Sequence, residues 1–288
     1  MKSPSIKHFI EINIAILLIS TSGALGKYIH MPPPVIIWMR SILAVCFLGF
    51  YCWYKGINFK IKDKKNRKTI FLSGLFMGIH WVTYFYALHL SNVAIGMLSL
   101  FTYPVITTLL EPFFFKSKLN LRHVLLGILV LIGISFLAPE FDIKNEQTLG
   151  IISGIISAFF YALRNILMKK MVSKTSGSIL MFYQMLVITL FLWPVLIFQD
   201  FTLTSSDISA LIVLALVTTT IGHTLFVMSF KNFNIGTASI MSSIQPVYGI
   251  IFAFIFLSET PNLNTFIGGS IIVLTVVLEA IYHTKRKK

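Results

Sequence analysis

Charge is scarce in this chain. Asp, Glu, Lys and Arg make up 12% of its 288 residues, with 10 acidic against 24 basic. Soluble domains carry about 25% charged residues to cover their surface, so composition excludes a soluble fold. Cysteine is scarcer still: Cys46 and Cys52 stand six residues apart in one apolar run, on different faces of a helix. They cannot bond to each other there, and they supply neither a disulfide framework nor a thiolate metal site. Both are read as packing residues. Long polar stretches are missing too, the longest lying near residues 55–68, so nothing is left to fold as a separate soluble domain. His-Glu-x-x-His, Gly-x-Ser-x-Gly, a phosphate loop and a metal cluster are all absent. Their absence weakens an enzymatic reading.

What the chain has in excess is apolar length. Hydrophobic residues make up 56% of it, and the mean hydropathy is +0.83. Ten apolar runs of about 20 residues, the length that crosses ~30 Å of hydrocarbon, lie near 10–28, 35–54, 69–89, 93–115, 120–138, 149–169, 178–198, 208–230, 236–257 and 263–282. The first follows Lys2 and Lys7 and is long for a signal segment, so it is read as a retained helix. The net charge of +14 would point to nucleic acid in a soluble protein. Here 20 of the 24 Lys and Arg fall on one side of the alternating runs: Lys2 and Lys7, the seven from Lys55 to Lys68, Lys116, Lys118 and Arg122, Lys169, Lys170 and Lys174, Lys231, and the four from Lys285 to Lys288. By the positive-inside rule both termini are predicted to be cytoplasmic. The basic excess is thus a topology signal, with some attraction to anionic lipid, and no nucleic-acid partner is expected.

The runs also repeat. Asn92-Val-Ala-Ile-Gly96 with Tyr103-Pro104-Val105 recurs as Asn234-Ile-Gly-Thr-Ala238 with Gln245-Pro246-Val247, at one offset of 142 residues. The same offset carries Lys27 onto Lys169, Leu121 onto Leu263 and Gly127 onto Gly269. Two five-helix modules follow, residues 1–140 and 141–288. Five is odd, so the second copy is predicted to sit inverted in the bilayer. Duplicated inverted units are how many secondary transporters are built, with the substrate site where the halves meet.

Several residues resemble a known family. Arg40-Ser-Ile-Leu-Ala44 is similar to the Arg-x-x-x-Ala pattern of EamA-like members of the drug/metabolite transporter superfamily. Ala87-Leu88 followed by Ala94, and Pro246 with Glu259 and then Gly268-Gly269, are similar to other stretches of that family; Ser117 stands where the first copy is expected to carry the matching Glu. The resemblance covers nearly the whole chain. It implies an all-α protein of the cell's inner (plasma) membrane, with ten transmembrane helices, no bound cofactor and a small-molecule substrate. Members of this kind export amino acids, other metabolites or toxic compounds. The competing classes are an intramembrane enzyme and a lipid-translocating protein.

Candidate site residues are the polar groups set in hydrocarbon, where a charge costs roughly 2.5–3.5 kcal/mol on insertion scales. Arg40 has two readings: a contact for a substrate carboxylate, or a packing arginine on backbone carbonyls, which is preferred. Its nearest acid is expected to be Glu259. Arg164 stands in a stripe with Ser157, Tyr161 and Asn165. Glu111 lies at a similar depth, and an Arg164–Glu111 pair is read either as structural or as a gate. His80, sharing a face with Tyr84, and His223, sharing one with Thr219 and Thr220, are offset by 143. They are read as cavity lining, as a proton relay, since protons are a possible coupling ion, or as interhelical bonds. Trp81, deep in its helix, is a candidate for stacking on a flat substrate. Pro104 and Pro246 each remove a backbone donor and free the carbonyls of Leu100 and Ser242. Freed groups at membrane depth must line a cavity or be buried in protein. That makes both prolines candidate hinges, and their neighbours Tyr103 and Gln245 candidate cavity residues. Trp53 and Trp193 are read as interface anchors.

The charge bias has a direct test. With Cys46→Ser and Cys52→Ser as background, Asn66→Cys and Asn232→Cys are expected to react with an impermeant thiol reagent only from the cytoplasm. Asn145→Cys should react only from outside. Labelling at position 232 from outside would remove the inverted arrangement.

Overall fold

A computed structural model describes residues 6–61, 63–115, 121–137, 142–233, 238, 241–242 and 244–285. Ser117 and the repeat block 234–237 lie outside them, as does the side chain of Glu111. The described residues are helical, with no strand among them. Every apolar run coils into helix, but not all at crossing length. Six helices are long and apolar enough to span a bilayer: Ile6–Tyr28, Pro33–Tyr54, Lys64–Leu90, Glu146–Met171, Gly177–Phe198 and Ser205–Ser229. Four shorter apolar helices, Val93–Thr107, Leu125–Leu137, Gln245–Leu257 and Leu263–Thr275, lie in the other runs.

In chain order the elements are α1 (Ile6–Tyr28), α2 (Pro33–Tyr54), α3 (Lys64–Leu90), α4 (Val93–Leu100), α5 (Tyr103–Phe115), α6 (Leu121–Leu137), α7 (Glu146–Met171), α8 (Gly177–Leu192), α9 (Val195–Phe198) and α10 (Ser205–Val213). A π-helix follows over Leu214–His223, then α11 (Thr224–Ser229), α12 (Gln245–Leu257) and α13 (Leu263–Lys285). Side chains set the starts. Asp63, Asn92 and Asn145 accept from the N–H groups of Lys65, Ile95 and Gln147 at 2.9, 2.8 and 2.9 Å. Thr204 and Asp207 close a reciprocal capping box on α10. Each such cap stabilises its helix by about 0.5–2 kcal/mol. Prolines set the breaks: α4 ends just before Pro104, α8 just before Pro194, and Pro246 lies in the first turn of α12.

Lipid is as apolar as leucine, so burial alone does not hold helices together in a membrane; close approach and polar bonds do. Accordingly Phe50, Trp53, Tyr54, Leu131, Phe198 and Phe256 stay exposed on the outside. Small residues mark the tight crossings. A side chain at Gly154 would come within 2.5 Å of the Ser99 Cβ on α4, and one at Gly74 within 2.8 Å of the Val187 Cβ on α8. The core lies where α1, α3, α7 and the Leu214–Ser229 segment meet, around Ile16, Trp81, Phe85, Ala158 and Phe226.

The packing follows the 142-residue offset. α3 lies along α7, and α1 lies along the π-helix and α11; α5 packs on α7, and α12 on α1. The two matched lysines make matched bonds. Lys27 Nζ donates to the carbonyls of Leu88 and Ser91 at 2.8 and 2.9 Å, and Lys169 Nζ to those of Phe230 and Phe233 at 2.7 and 2.8 Å. Leu88 and Ser91 stand 142 residues before Phe230 and Phe233. Each ammonium thereby satisfies carbonyls left open at a helix C-terminus and meets the negative end of its dipole. From cap to bridge the second copy is one residue longer, Thr204 to Phe230 against Asp63 to Leu88. An added residue is what a π segment absorbs, and Leu214–His223 lies inside that stretch.

Glu259 joins the end of α12 to the start of α4. Ser258, left-handed at φ 56°, closes α12 with its N–H on Phe254 O at 3.2 Å and that of Glu259 on Ala253 O at 3.3 Å. Glu259 Oε2 then accepts the Val93 N–H at 2.9 Å, at the positive end of α4. The expected proximity of Glu259 to Arg40 is therefore corrected: the carboxylate is committed to the start of α4, and Arg40 finds other partners.

Lys27→Met and Lys169→Met are each expected to lower thermal stability in detergent, by about 1.5–3 kcal/mol per charged hydrogen bond lost. Unchanged unfolding temperatures in both would mean the lysine bridges do not hold these helix ends.

Candidate functional site

Six of the residues singled out from sequence meet around one enclosed cavity: His80, Trp81 and Tyr84 from α3, Tyr161 from α7, His223 at the end of the π-helix and Gln245 at the start of α12. Ser22, Ile19, Met97, Leu100 and Phe101 complete the wall. The cavity measures about 20 Å³, space for one water and no metabolite. Two larger clefts, about 530 and 560 Å³, lie elsewhere. One is bounded by α1, α10 and α12, the other by α4, α12 and α13, and both are overwhelmingly apolar. Volume alone does not make them recognition sites, because specificity needs convergent polar groups.

The rings interlock. The His80 ring stacks on Tyr161 at 4.3 Å and 21°, and Tyr161 meets Tyr103 edge to face at 4.8 Å. Tyr103 stands one layer behind the wall, and its hydroxyl is hydrogen-bonded to Ser242 Oγ. That bond ties the start of α5 to the segment before α12, next to both proline breaks. His80 Nδ1 lies 2.7 Å from Ser157 Oγ and 3.2 Å from the Ser157 carbonyl, while Ser157 Oγ donates to His80 O at 2.8 Å. A carbonyl only accepts and the serine proton is already used, so this network assigns the proton to Nδ1 and leaves Nε2 an acceptor. Trp81 meets His223 edge to face at 5.3 Å. At the 142-residue offset the partner of His223 is thus Trp81, which touches it, and not His80. Ile19 and Tyr161 are related by the same offset, as are Tyr103 and Gln245.

The two core arginines differ sharply. Arg164, 0% exposed, donates from Nε and Nη2 to Gln184 Oε1 at 3.2 and 2.8 Å and from Nη1 to Asn165 Oδ1 at 3.0 Å; Nη2 also lies 3.1 Å from Met181 Sδ. Gln184 in turn donates to Ser73 Oγ at 3.0 Å. The Glu111 side chain lies outside the described residues, and the described partners of Arg164 are all neutral. Arg40, equally buried, donates from Nε to Thr219 Oγ1 at 2.6 Å. Its guanidinium carbon sits 3.7 Å from the centre of the Trp81 ring, and Nη1 and Nη2 have no hydrogen-bond partner. Thr219 is spoken for, donating to Leu214 O at 2.9 Å across the five-residue step of the π-helix. The ion pair found among the described residues, Lys7–Glu11, is exposed at the start of α1. No described carboxylate lines the cavity wall.

Sequence reasoning missed Gln184. The signal was there: a lone amide inside the apolar run 178–198, where an unpaired polar group is costly.

The EamA-like transporter family matches residues 10–138 and again 148–280. The chain is 24% identical to the uncharacterized transporter YxxF of Bacillus subtilis over 265 residues, covering 90% of this chain and 85% of that protein. It is 20% identical to the pseudopaline exporter CntI of Pseudomonas aeruginosa, over 89% and 88% of the two chains. It is 24% identical to the S-adenosylmethionine uptake transporter of Rickettsia felis, over 93% and 90%. A solved crystal structure superimposes with a TM-score of 0.72 at 16% identity, over 98% of this chain and 99% of that one; this likeness is one of fold.

Gln184→Leu is expected to destabilise the protein, because the buried guanidinium loses the acceptor of its Nε and Nη2 bonds; hydrogen bonds to charged groups are worth about 1.5–3 kcal/mol. The double variant with Arg164→Met should recover part of the loss in thermal unfolding. Simple addition of the two single effects would show that the residues do not support each other.

Proposed function

Because this chain belongs to the EamA-like transporter family, we propose that it carries small organic molecules across the cell's inner membrane by alternating access, as a secondary active or facilitative exporter of amino acids or related metabolites. In this reading the chain is ten transmembrane helices in two inverted five-helix copies, residues 1–140 and 141–288, with both termini cytoplasmic. The matched bridges of Lys27 and Lys169 support the duplication. One observation carries the site: a cavity walled by His80, Trp81, Tyr84, Tyr161, His223 and Gln245, in which Trp81 touches its own repeat mate His223. A residue that contacts its mate lies beside the axis relating the copies, and carriers of this design bind at that place.

Closing and opening would be rocking of one copy against the other. Pro104 and Pro246 sit where α5 and α12 begin, and the Tyr103–Ser242 hydrogen bond spans them. In this mechanism that bond breaks as the cavity widens. The direction is proposed as export. Of the two relatives described above by activity, one is an exporter and the other an uptake transporter, so direction is a property of each carrier and its gradients. The lipid-translocating alternative asks for a polar stripe facing the bilayer, whereas here the polar groups converge inward and the outer clefts are apolar. Among the described residues no group of three or more His, Cys, Asp or Glu gathers to support the enzyme alternative.

Efflux from proteoliposomes against a panel of amino acids and related metabolites tests the reading. Gln245→Ala and His223→Ala should keep wild-type thermal stability and shift apparent substrate affinity. Packing residues of membrane bundles behave oppositely, losing about 0.6 kcal/mol of stability per bond removed. Unchanged transport by both variants on a responsive panel would move the site elsewhere. Export that accelerates with an imposed proton gradient is expected if His80 or His223 carries the coupling proton; a rate independent of pH would leave both with a lining role only.

A further inference from the structure

Arg40 and Arg164 are a built-in comparison. Both are wholly buried guanidinium groups in an apolar bundle. Arg164 spends its nitrogens on Gln184 and Asn165. Arg40 spends only Nε, on Thr219, and leaves both Nη groups without a partner. A charge buried in that condition is costly unless something pairs with it. The Trp81 ring face offsets part of that cost as a cation–π contact, but a ring face gives no in-plane acceptor for the Nη hydrogens. His223 Nδ1 is likewise buried and unpartnered, and His223 meets the same tryptophan ring from its edge. Two unpaired polar groups thus converge on Trp81, and Trp81 is wall of the central cavity.

Resting on the transport reading above, we infer that Arg40 is the anchor for a carboxylate on the transported molecule, reached when Trp81 moves off the guanidinium as the cavity widens. The geometry suits this group. Nε is fixed by a hydroxyl that already uses its own proton on Leu214 O, so the Nη1–Nη2 edge is held in place and free. That edge offers two parallel N–H groups, the arrangement a planar carboxylate accepts bidentately. No described acid competes for it, since Glu259 caps α4 and Asp207 belongs to the capping box of α10. The indole that covers Arg40 offers a flat apolar partner for the rest of the molecule. Cationic amines are disfavoured, because the group waiting behind Trp81 is itself a cation.

The test uses three flat probes of one size on the purified full-length protein in detergent: benzoate, benzamide and benzylamine, with phenyl phosphate as a fourth. Binding is followed by thermal unfolding and by tryptophan fluorescence. Benzoate is expected to stabilise the wild type, and benzamide and benzylamine to do so at least about tenfold more weakly. Arg40→Gln should lose the benzoate response and Arg40→Lys keep part of it. Without ligand, Arg40→Gln should unfold at or above the wild-type temperature, because an unpaired charge has gone, whereas Arg164→Gln should unfold lower. Benzoate binding that survives in Arg40→Gln, no benzoate response in the wild type, or equal binding of benzylamine would overturn the assignment. Tighter binding of phenyl phosphate than of benzoate would overturn the carboxylate in favour of a phosphoryl group. The two readings fail separately in the efflux panel. Transport of amines and neutral molecules as readily as acids sinks the role of Arg40 and leaves the carrier. Absence of any transport sinks the carrier, whatever Arg40 binds.

Discussion

Every polar group carried into hydrocarbon must find its partner inside the protein, because lipid supplies none. The packing of this chain can be read as the set of answers to that demand. Lys27 and Lys169 close helix ends on backbone carbonyls. Glu259 closes the start of α4. Ser157 and His80 satisfy each other across α7 and α3. Arg164 is held by the amides of Gln184 and Asn165. Apart from the Arg164–Asn165 bond within α7, each joins two helices or pins a helix end, and between lipid-like side chains such bonds and close glycine crossings are what select one arrangement. Against that background Arg40 and His223 stand out as the described titratable groups whose answers are incomplete; His223 lines the cavity and Arg40 lies behind its Trp81 wall.

The same constraint explains why the cavity sits where it does. Helix breaks free backbone groups, and those are tolerated only where protein or water receives them. The breaks before Pro104 and at Pro246 fall at the cavity wall, where Leu100, Phe101 and Gln245 line it. The π-helix ends at His223 and turns Thr219 toward Arg40. Irregular backbone, buried polar groups and the contact between Trp81 and its repeat mate therefore coincide. That coincidence is what a carrier working about a pseudo-twofold axis requires.

Much of this was legible in the sequence, and for identifiable reasons. Apolar length is a local property, so the helical runs and the membrane class follow from it directly. The offset that aligns Lys27 with Lys169 was visible, and the lysine bonds give it physical content. Less was legible where partners are chosen in three dimensions. Hydropathy sees no π-helix, since one added residue in an apolar run changes no average. The partners of the two arginines could not be read from spacing, because Arg164 is met by Gln184 from α8 and Arg40 by Thr219 from the π segment. His80 and His223 looked like a pair from spacing, whereas contact pairs His223 with Trp81. A lone amide in an apolar run deserved the same suspicion as a charge.

The central claim is that one cavity, walled by both copies, opens alternately to the two sides of the membrane. Accessibility of a single cysteine at its centre tests this most directly. In oriented vesicles, with Cys46 and Cys52 replaced by serine, Gln245→Cys should react with a membrane-impermeant thiol reagent added from either side. A transported substrate should slow both reactions. Reaction from one side only, whatever substrate or gradient is present, or no reaction from either side, would contradict an alternating cavity at this position.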